Sequence, residues 1–223
     1  MSRTLADFRM DRKLLLLINR QWTGPALDRV MAVFSSTDFW APLFLLAGLL
    51  ILWRGGFHLR AALLVAVLAA GVSDGVVCNG LKHLVGRPRP HQAMSDIRMV
   101  DLAKATPRLL ALAKPVKVTL SVADPEAAVR RSFPSGHTSN TTAVVVVLAL
   151  FLRRAWLLFP VPLLVGYSRI YTGAHWPSDV LASLFLGLLI ALLCTWGATA
   201  LWRRCAPRRL PRLATLHPHL LPA

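Results

Sequence analysis

Acidic residues are scarce in this chain. Ten Asp and Glu stand against 26 Lys and Arg in 223 residues, a formal net charge of +16. No cluster of acids is therefore available to hold magnesium. Cysteine is scarcer still. Cys78, Cys194 and Cys205 are far apart and odd in number, and two of them lie within apolar runs. That excludes a disulfide framework and a cysteine metal site, and all three are expected to be reduced. The first twenty residues hold an apolar core of only five, residues 14–18, too short for a cleavable signal peptide. Internal repeats and low-complexity tracts are absent.

Apolar residues are plentiful. They make up 55% of the chain, in long uncharged runs, which places it among integral membrane proteins. So large a positive charge would suggest nucleic acid. The arginines cluster instead at the ends of apolar runs, the pattern of membrane orientation and anionic headgroup contact, so no nucleic-acid partner is expected.

The expected fold is all-α: a polytopic helical membrane protein with about five transmembrane helices, N-terminal interfacial helices and an extracytoplasmic cap. Residues 1–38 form an amphipathic segment. Asp7, Arg9, Asp11, Arg12, Lys13, Arg20, Asp28 and Arg29 break any span there, and Trp22-Thr23-Gly24-Pro25 makes a turn. Residues 39–202 form the membrane domain, with spans at 39–53, 61–81, 138–152, 155–167 and 177–202. Residues 203–223 form a basic cytoplasmic tail, whose His217-Pro218-His219 end reads as disordered. Arg54, Arg60, Arg153, Arg154 and the tail fall on one side, which the positive-inside rule makes cytoplasmic. The 87–132 cap then lies outside, where Arg87, Arg98, Arg130 and Arg131 run against the rule; a phosphate site would account for part of that. Val116, Val118, Leu120 and Val122 alternate with polar or small residues, predicting one short strand or extended edge. Asp124-Pro125-Glu126 predicts a helix start.

Three polar stretches at the outer ends of the spans carry the chemistry. Pro177 reads as the first residue of a helix, which puts Asp179 in its first turn and His175 just outside. A carboxylate there can reach back to one imidazole nitrogen and leave the other as base or nucleophile. Arg169 adds a fork of donors suited to an oxyanion or phosphate. A polar turn between two buried helices would use the same residue types. Ser135 and Gly136 precede another apolar run and supply a hydroxyl and backbone N–H groups at a helix start, where anions bind readily. Lys82 and Arg89 follow a third run. A zinc ion on His137, His175 and Asp179 would be repelled by three cations, so no metal and no cofactor is expected. Asp74, an intramembrane acid eight residues before Lys82 and on much the same helix face, is a candidate functional residue by its placement and stays outside the expected site.

Lys82, six residues, then Arg89-Pro90; Pro134-Ser135-Gly136-His137; and Ser168-Arg169, five residues, His175, three residues, Asp179 occur in that order. The ordered set resembles the type 2 phosphatidic acid phosphatase superfamily, which includes bacterial undecaprenyl-pyrophosphate phosphatases. Arg87 lacks the family spacing and is set aside in favour of Arg89. The resemblance implies that His175 attacks phosphorus in line, with Asp179 holding its other nitrogen. It implies that His137 protonates the leaving oxygen and then activates water. Lys82, Arg89, Arg169, Ser135 and Gly136 would bind the phosphate. The expected function is a metal-independent lipid phosphate or pyrophosphate phosphatase working through a phosphohistidine. It would be a multi-pass protein of the cell (inner or plasma) membrane, with its site on the extracytoplasmic side. Undecaprenyl pyrophosphate is the first choice of substrate. Phosphatidylglycerophosphate, phosphatidate and lipid A phosphates are the others. A lipid phosphotransferase shares the chemistry, and a non-enzymatic lipid-binding protein is the reading from another class.

Overall fold

The computed structural model describes residues 2–124 and 131–222. Helix α1 (Ser2–Leu16) passes into a widened π turn (Leu17–Gln21) and stops at Trp22. Pro25 opens α2 (Pro25–Ser35), at a position where its missing N–H costs nothing. Helix α3 (Thr37–Arg54) has 18 residues, of which only Phe39 is buried. Apolar on all sides and peripheral, it turns Phe44 and Leu45 outward, 67% and 65% exposed, as lipid-facing side chains should be. Helix α4 (Phe57–Gly71) continues through a π segment (Val72–Cys78) into α5 (Asn79–Val85). This rod ends at Gly86, whose φ of 58° is the left-handed cap that glycine adopts without strain.

The cap holds a short α6 (Pro90–Ala93), β1 (Arg98–Asp101) and β2 (Lys117–Leu120). The predicted strand is present, and its antiparallel partner is β1, with Arg98 opposite Leu120 and Asp101 opposite Lys117. Of the predicted helix start at 124–126, residues 125 and 126 lie outside the described residues. Helices α7 (Gly136–Phe151), α8 (Pro160–Tyr171), α9 (Pro177–Arg209) and α10 (Pro211–Leu216) complete the chain. The protein is a helical membrane protein, 74% helical. Among the described residues, three helical stretches are long and apolar enough to cross a bilayer: Thr37–Arg54, Phe57–Ala93 and Pro177–Arg209. Helix α7, with 16 residues, reaches only about 24 Å at 1.5 Å per residue. It is the central helix, enclosed by α4, α8 and α9, and its Ala143, Val146, Val147 and Phe151 join Ala62, Val65, Ala69, Ile190 and Ala191 in one apolar core.

Three features differ from the sequence expectation. The fourth span does not begin at residue 155: Arg153–Leu158 is a 3₁₀ turn and the helix starts at Pro160. Both prolines then sit in the first turn, where no N–H is needed, and Ser168 and Arg169 become the last helical turn rather than a loop. The helix of the last span continues past Trp202 to Arg209. The end predicted as disordered folds back. His217 stacks on Phe57 with ring centroids 4.1 Å apart, its carbonyl accepts the Trp202 indole N–H at 3.1 Å, and Leu220 is buried. Those partners come from α4 and α9, far away in sequence.

The N-terminal segment is clamped to the cap. Asn19 is fully buried; its amide donates to the carbonyls of Arg98 and Tyr171 and its oxygen accepts the Arg98 N–H. Arg98, predicted to be explained in part by a phosphate site, instead donates from Nη2 to both oxygens of Asp28, at 2.9 and 2.8 Å. This second, smaller core gathers Leu15, Ile18, Met31, Phe39, Ile97, Val100, Tyr171 and Trp176.

Candidate active site

Helix α8 ends in a turn that aims the next residues. The Arg169 carbonyl accepts the N–H groups of both Ala174 and His175, and Gly173 takes φ 68°. A side chain there would strike Ile97 at 2.4 Å and the Arg98 carbonyl at 3.1 Å, so the turn passes directly beneath β1. His91 secures it from the other side, with Nδ1 2.9 Å from the Gly173 carbonyl. Pro177 holds Trp176 extended, as a residue before proline prefers, and Asp179 accepts the Trp176 N–H at 3.1 Å. Arg169 and His175 are thus joined through backbone as well as sequence.

The imidazole of His175 is 2% exposed. Its Nδ1 lies 2.6 Å from the Ser132 carbonyl, which can only accept, so the proton is on Nδ1 and Nε2 carries the lone pair. This differs from the expected contact with Asp179. The Asp179 carboxylate is fully buried; Oδ2 takes the Ser132 hydroxyl at 2.5 Å and Oδ1 takes Arg87 Nη1 at 2.6 Å. The acid reaches the histidine through Ser132, whose two ends grip one group each. Arg87, set aside on spacing, is part of this arrangement. Burial first, then the charges of Arg169 and Arg89, hold the His175 pKa well below the ordinary imidazole value, so the ring is neutral near pH 7.

Around that ring the structure gathers the cations. Lys82, Arg89 and Arg169 all act electrostatically on His137. Burial lowers the pKa of Arg89 from its ordinary value, although arginine stays charged throughout the working range. Arg169 Nη1 donates to the Ser35 carbonyl at 3.1 Å and contacts the Ser35 hydroxyl. Its Nε is buried without a hydrogen-bond partner among the described residues, a donor left for an anion. Gly136 opens α7, and an added Cβ would lie 3.1 Å from Asp74 Oδ1 and 3.6 Å from Lys82 Nζ. The missing side chain lets both charged tips approach the helix start. Asp74 reaches it from the π segment, a helix distortion common at functional sites.

Ser135 is placed differently from the other candidate phosphate ligands. Its hydroxyl meets Thr138 Oγ1 at 2.9 Å and its N–H meets Ser183 Oγ at 2.8 Å, while Ser183 donates to the Asp179 carbonyl. It ties α7 to α9. The free donors at this helix start are the N–H groups of the first turn, which have no intrahelical acceptor. His137 projects from the same turn, with Nε2 2.6 Å from the Thr37 hydroxyl. Among the described residues no three of His, Cys, Asp and Glu converge as a metal-ligand set. The structure brings Lys82, Arg89, His137, Arg169, His175 and Asp179, the residues named from motif spacing, close together. Motif spacing missed Asp11, Ser35, Thr37, Arg87, Ser132 and Ser183. The one sequence signal for any of these was the position of Ser132 three residues before Ser135.

The PAP2 superfamily model matches residues 60–203. A lipid A 4'-phosphatase of Bacteroides thetaiotaomicron is 27% identical over 184 residues, 80% of this chain and 72% of that protein. An undecaprenyl-diphosphatase of Bacillus subtilis is 41% identical over 63 residues, 28% of this chain and 33% of that one. The crystal structure of Aquifex aeolicus LpxE superposes with a TM-score of 0.59 at 25% identity, covering 82% of this chain and 93% of the other.

Proposed function

Because the chain belongs to the PAP2 superfamily, whose lipid phosphatases hydrolyse phosphoester bonds, we propose that His175 is its nucleophile and that a phosphohistidine is the intermediate. The observation that carries this is the His175 ring, neutral and buried under the charges of Arg169 and Arg89, with Nδ1 occupied by the Ser132 carbonyl. Nε2 attacks phosphorus and the bond from phosphorus to the leaving oxygen breaks. His137 gives that oxygen its proton. Water then attacks the phosphohistidine while His137 takes a proton from it, and the P–N electron pair returns to Nε2. Thr37 shares a hydrogen bond with Nε2 of His137 and so helps to orient the ring. Lys82, Arg89, Arg169 Nε and the first N–H groups of α7 offset the charge on the equatorial oxygens.

The substrate we propose is a membrane lipid bearing a phosphate or pyrophosphate. The match over 80% of this chain, to a lipid A 4'-phosphatase, favours a lipid A phosphate. The undecaprenyl-diphosphatase match favours undecaprenyl pyrophosphate over a shorter stretch. That stretch is a third or less of either chain, so it says less about how the lipid is read, and lipid A becomes the first substrate to try. We place the protein in the cell membrane with the site outside, from the charge asymmetry of the turns. The test is phosphate release by purified protein, in excess EDTA, from lipid A and undecaprenyl pyrophosphate side by side. Release from either without added metal supports the reading. Activity lost to the chelator and restored by magnesium or zinc overturns it, and release from neither lipid removes both as substrates.

A further inference from the structure

Asp11 lies on α1, a helix whose neighbouring Arg12 and Lys13 are exposed, yet Asp11 itself is only 6% exposed. Both of its oxygens are occupied. Oδ1 accepts the Ser178 N–H at 2.9 Å. Oδ2 accepts Arg87 Nη2 at 2.6 Å and also the Ser178 hydroxyl. The other arm of the same guanidinium, Nη1, donates to Asp179 at 2.6 Å and to Ser178 Oγ at 2.8 Å. The guanidinium lies over the Trp176 ring, 5.1 Å from its centroid. Asp179 takes the Ser132 hydroxyl and the Ser132 carbonyl takes His175 Nδ1. An unbroken chain of contacts thus runs from the N-terminal helix to the imidazole: Asp11, Arg87, Asp179, Ser132, His175.

We propose that Asp11, acting through Arg87, is a positioning residue for His175, so that the N-terminal helix is part of the catalytic apparatus as well as a membrane contact. The inference rests on His175 being the nucleophile. A guanidinium fork matches one carboxylate bidentately. Here it is divided between two, one arm each, and Asp11 is what divides it. Without that carboxylate, the guanidinium is no longer held between two acids, and a turn toward Asp179 competes for Oδ2 with the Ser132 hydroxyl. Ser132 then loses the bond that fixes its carbonyl, and His175 loses the acceptor that sets its tautomer. Asp11 touches no phosphate oxygen in this arrangement, so its effect belongs in kcat rather than in KM.

The test uses the full chain in mixed micelles, with phosphate release from a short-chain phosphatidate and from an aryl phosphate. Asp11→Asn is expected to lower kcat about tenfold, short of the roughly 10²-fold cost of a misplacement of about 1 Å at reacting groups. KM should move less than about twofold. The double variant with Asp179→Asn should be no slower than Asp179→Asn alone, because both losses act on one chain of contacts. Arg12→Gln, one residue away on the exposed side of α1, should leave both constants unchanged. Wild-type kcat in Asp11→Asn, a change in KM alone, or losses that multiply in the double variant would each overturn the inference. If Asp11→Asn does not fold, Arg87→Lys carries the same test: it keeps the charge and loses the fork, so a kcat loss that overlaps with Asp179→Asn supports the inference and full kcat overturns it. A wild-type protein that releases phosphate from neither of these nor from lipid A or undecaprenyl pyrophosphate would instead bring down the phosphatase reading.

Discussion

Gly187 lies where α9 crosses α7, and replacing it with alanine tests whether that crossing sets the site. A Cβ there falls 2.4 Å from the Ser139 carbonyl oxygen, 2.7 Å from Thr142 Cβ and 3.2 Å from the Ala143 nitrogen. Favourable carbon–oxygen approach begins at about 3.3 Å, so the helices must part by about 0.9 Å. The oxygen and nitrogen belong to backbone and cannot swing aside. Ser139 is within one turn of His137, and Asp179 lies on α9 about two turns above Gly187, so the separation falls between the two halves of the site. A misplacement of about 1 Å at reacting groups costs on the order of 10²-fold in rate. Gly187→Ala is therefore expected to lower kcat by roughly 10- to 100-fold while the protein stays helical. Overpacking of this kind costs about 1–3 kcal/mol, against a helix-propensity gain of about 1 kcal/mol, so the melting temperature should fall modestly. Gly197 is the matched control, on the same helix with nothing within 4 Å of its Cβ position. Gly197→Ala should keep full activity and be as stable as the parent or up to about 1 kcal/mol more so. Both variants are compared in one detergent by circular dichroism, thermal melting and phosphate release. Wild-type kcat in Gly187→Ala would refute the claim that this close approach positions the chemistry.

The depressed pKa of His175 makes the neutral ring the working form, so the enzyme-derived acid limb of kcat/KM should lie well below pH 6.5, measured on a substrate whose own ionisation is known; a limb at the ordinary imidazole value would refute that. By the same linkage the neutral ring's contribution to stability is present above about pH 6.5 and is lost as pH falls toward the folded value, which melting against pH will follow. His175→Ala should abolish turnover and any acid-labile phosphoenzyme. His137→Ala should lose roughly 10²–10⁴-fold on a lipid phosphate but less on an aryl phosphate, whose leaving group needs less protonation; equal losses would reject His137 as the acid. Asp179→Asn should fall between the two. Val122, on the cap and 84% exposed, supplies the topology test. Val122→Cys in a background without the native cysteines should react with a membrane-impermeant thiol reagent on intact cells, and labelling only after permeabilisation would place the cap inside.

Much of this molecule follows from local pattern. Apolar runs bounded by arginine specify membrane helices whatever they pack against, because a backbone in lipid must satisfy its own hydrogen bonds. Pro177 two residues before Asp179 determines a helix start with an acid in its first turn, and Gly173 between Arg169 and His175 determines the left-handed turn joining them; both are short-range consequences of allowed φ and ψ. The alternation from Val116 to Val122 likewise determines a strand. What a strand pairs with, or what a carboxylate grips, is not a short-range property. Asp179 and His175 are close enough in sequence to suggest a direct bond. The tertiary structure instead inserts Ser132, 43 residues from His175, and brings Arg87 onto Asp179 from 92 residues away and Asp11 onto Arg87 from 76. The choice of Arg89 over Arg87 by spacing named a cation near the histidines and passed over the one that holds the acid. The folded C-terminal end shows the same limit, since His217 and Leu220 become ordered only against surfaces that α4 and α9 create together. Spacing along one segment determines which side chains leave a helix in the same direction. Which segment stands opposite is decided by packing at sites such as Gly166 and Gly187, where a single added carbon would meet Val180 at 2.6 Å or the Ser139 carbonyl at 2.4 Å, and that contact exists only once the helices have assembled.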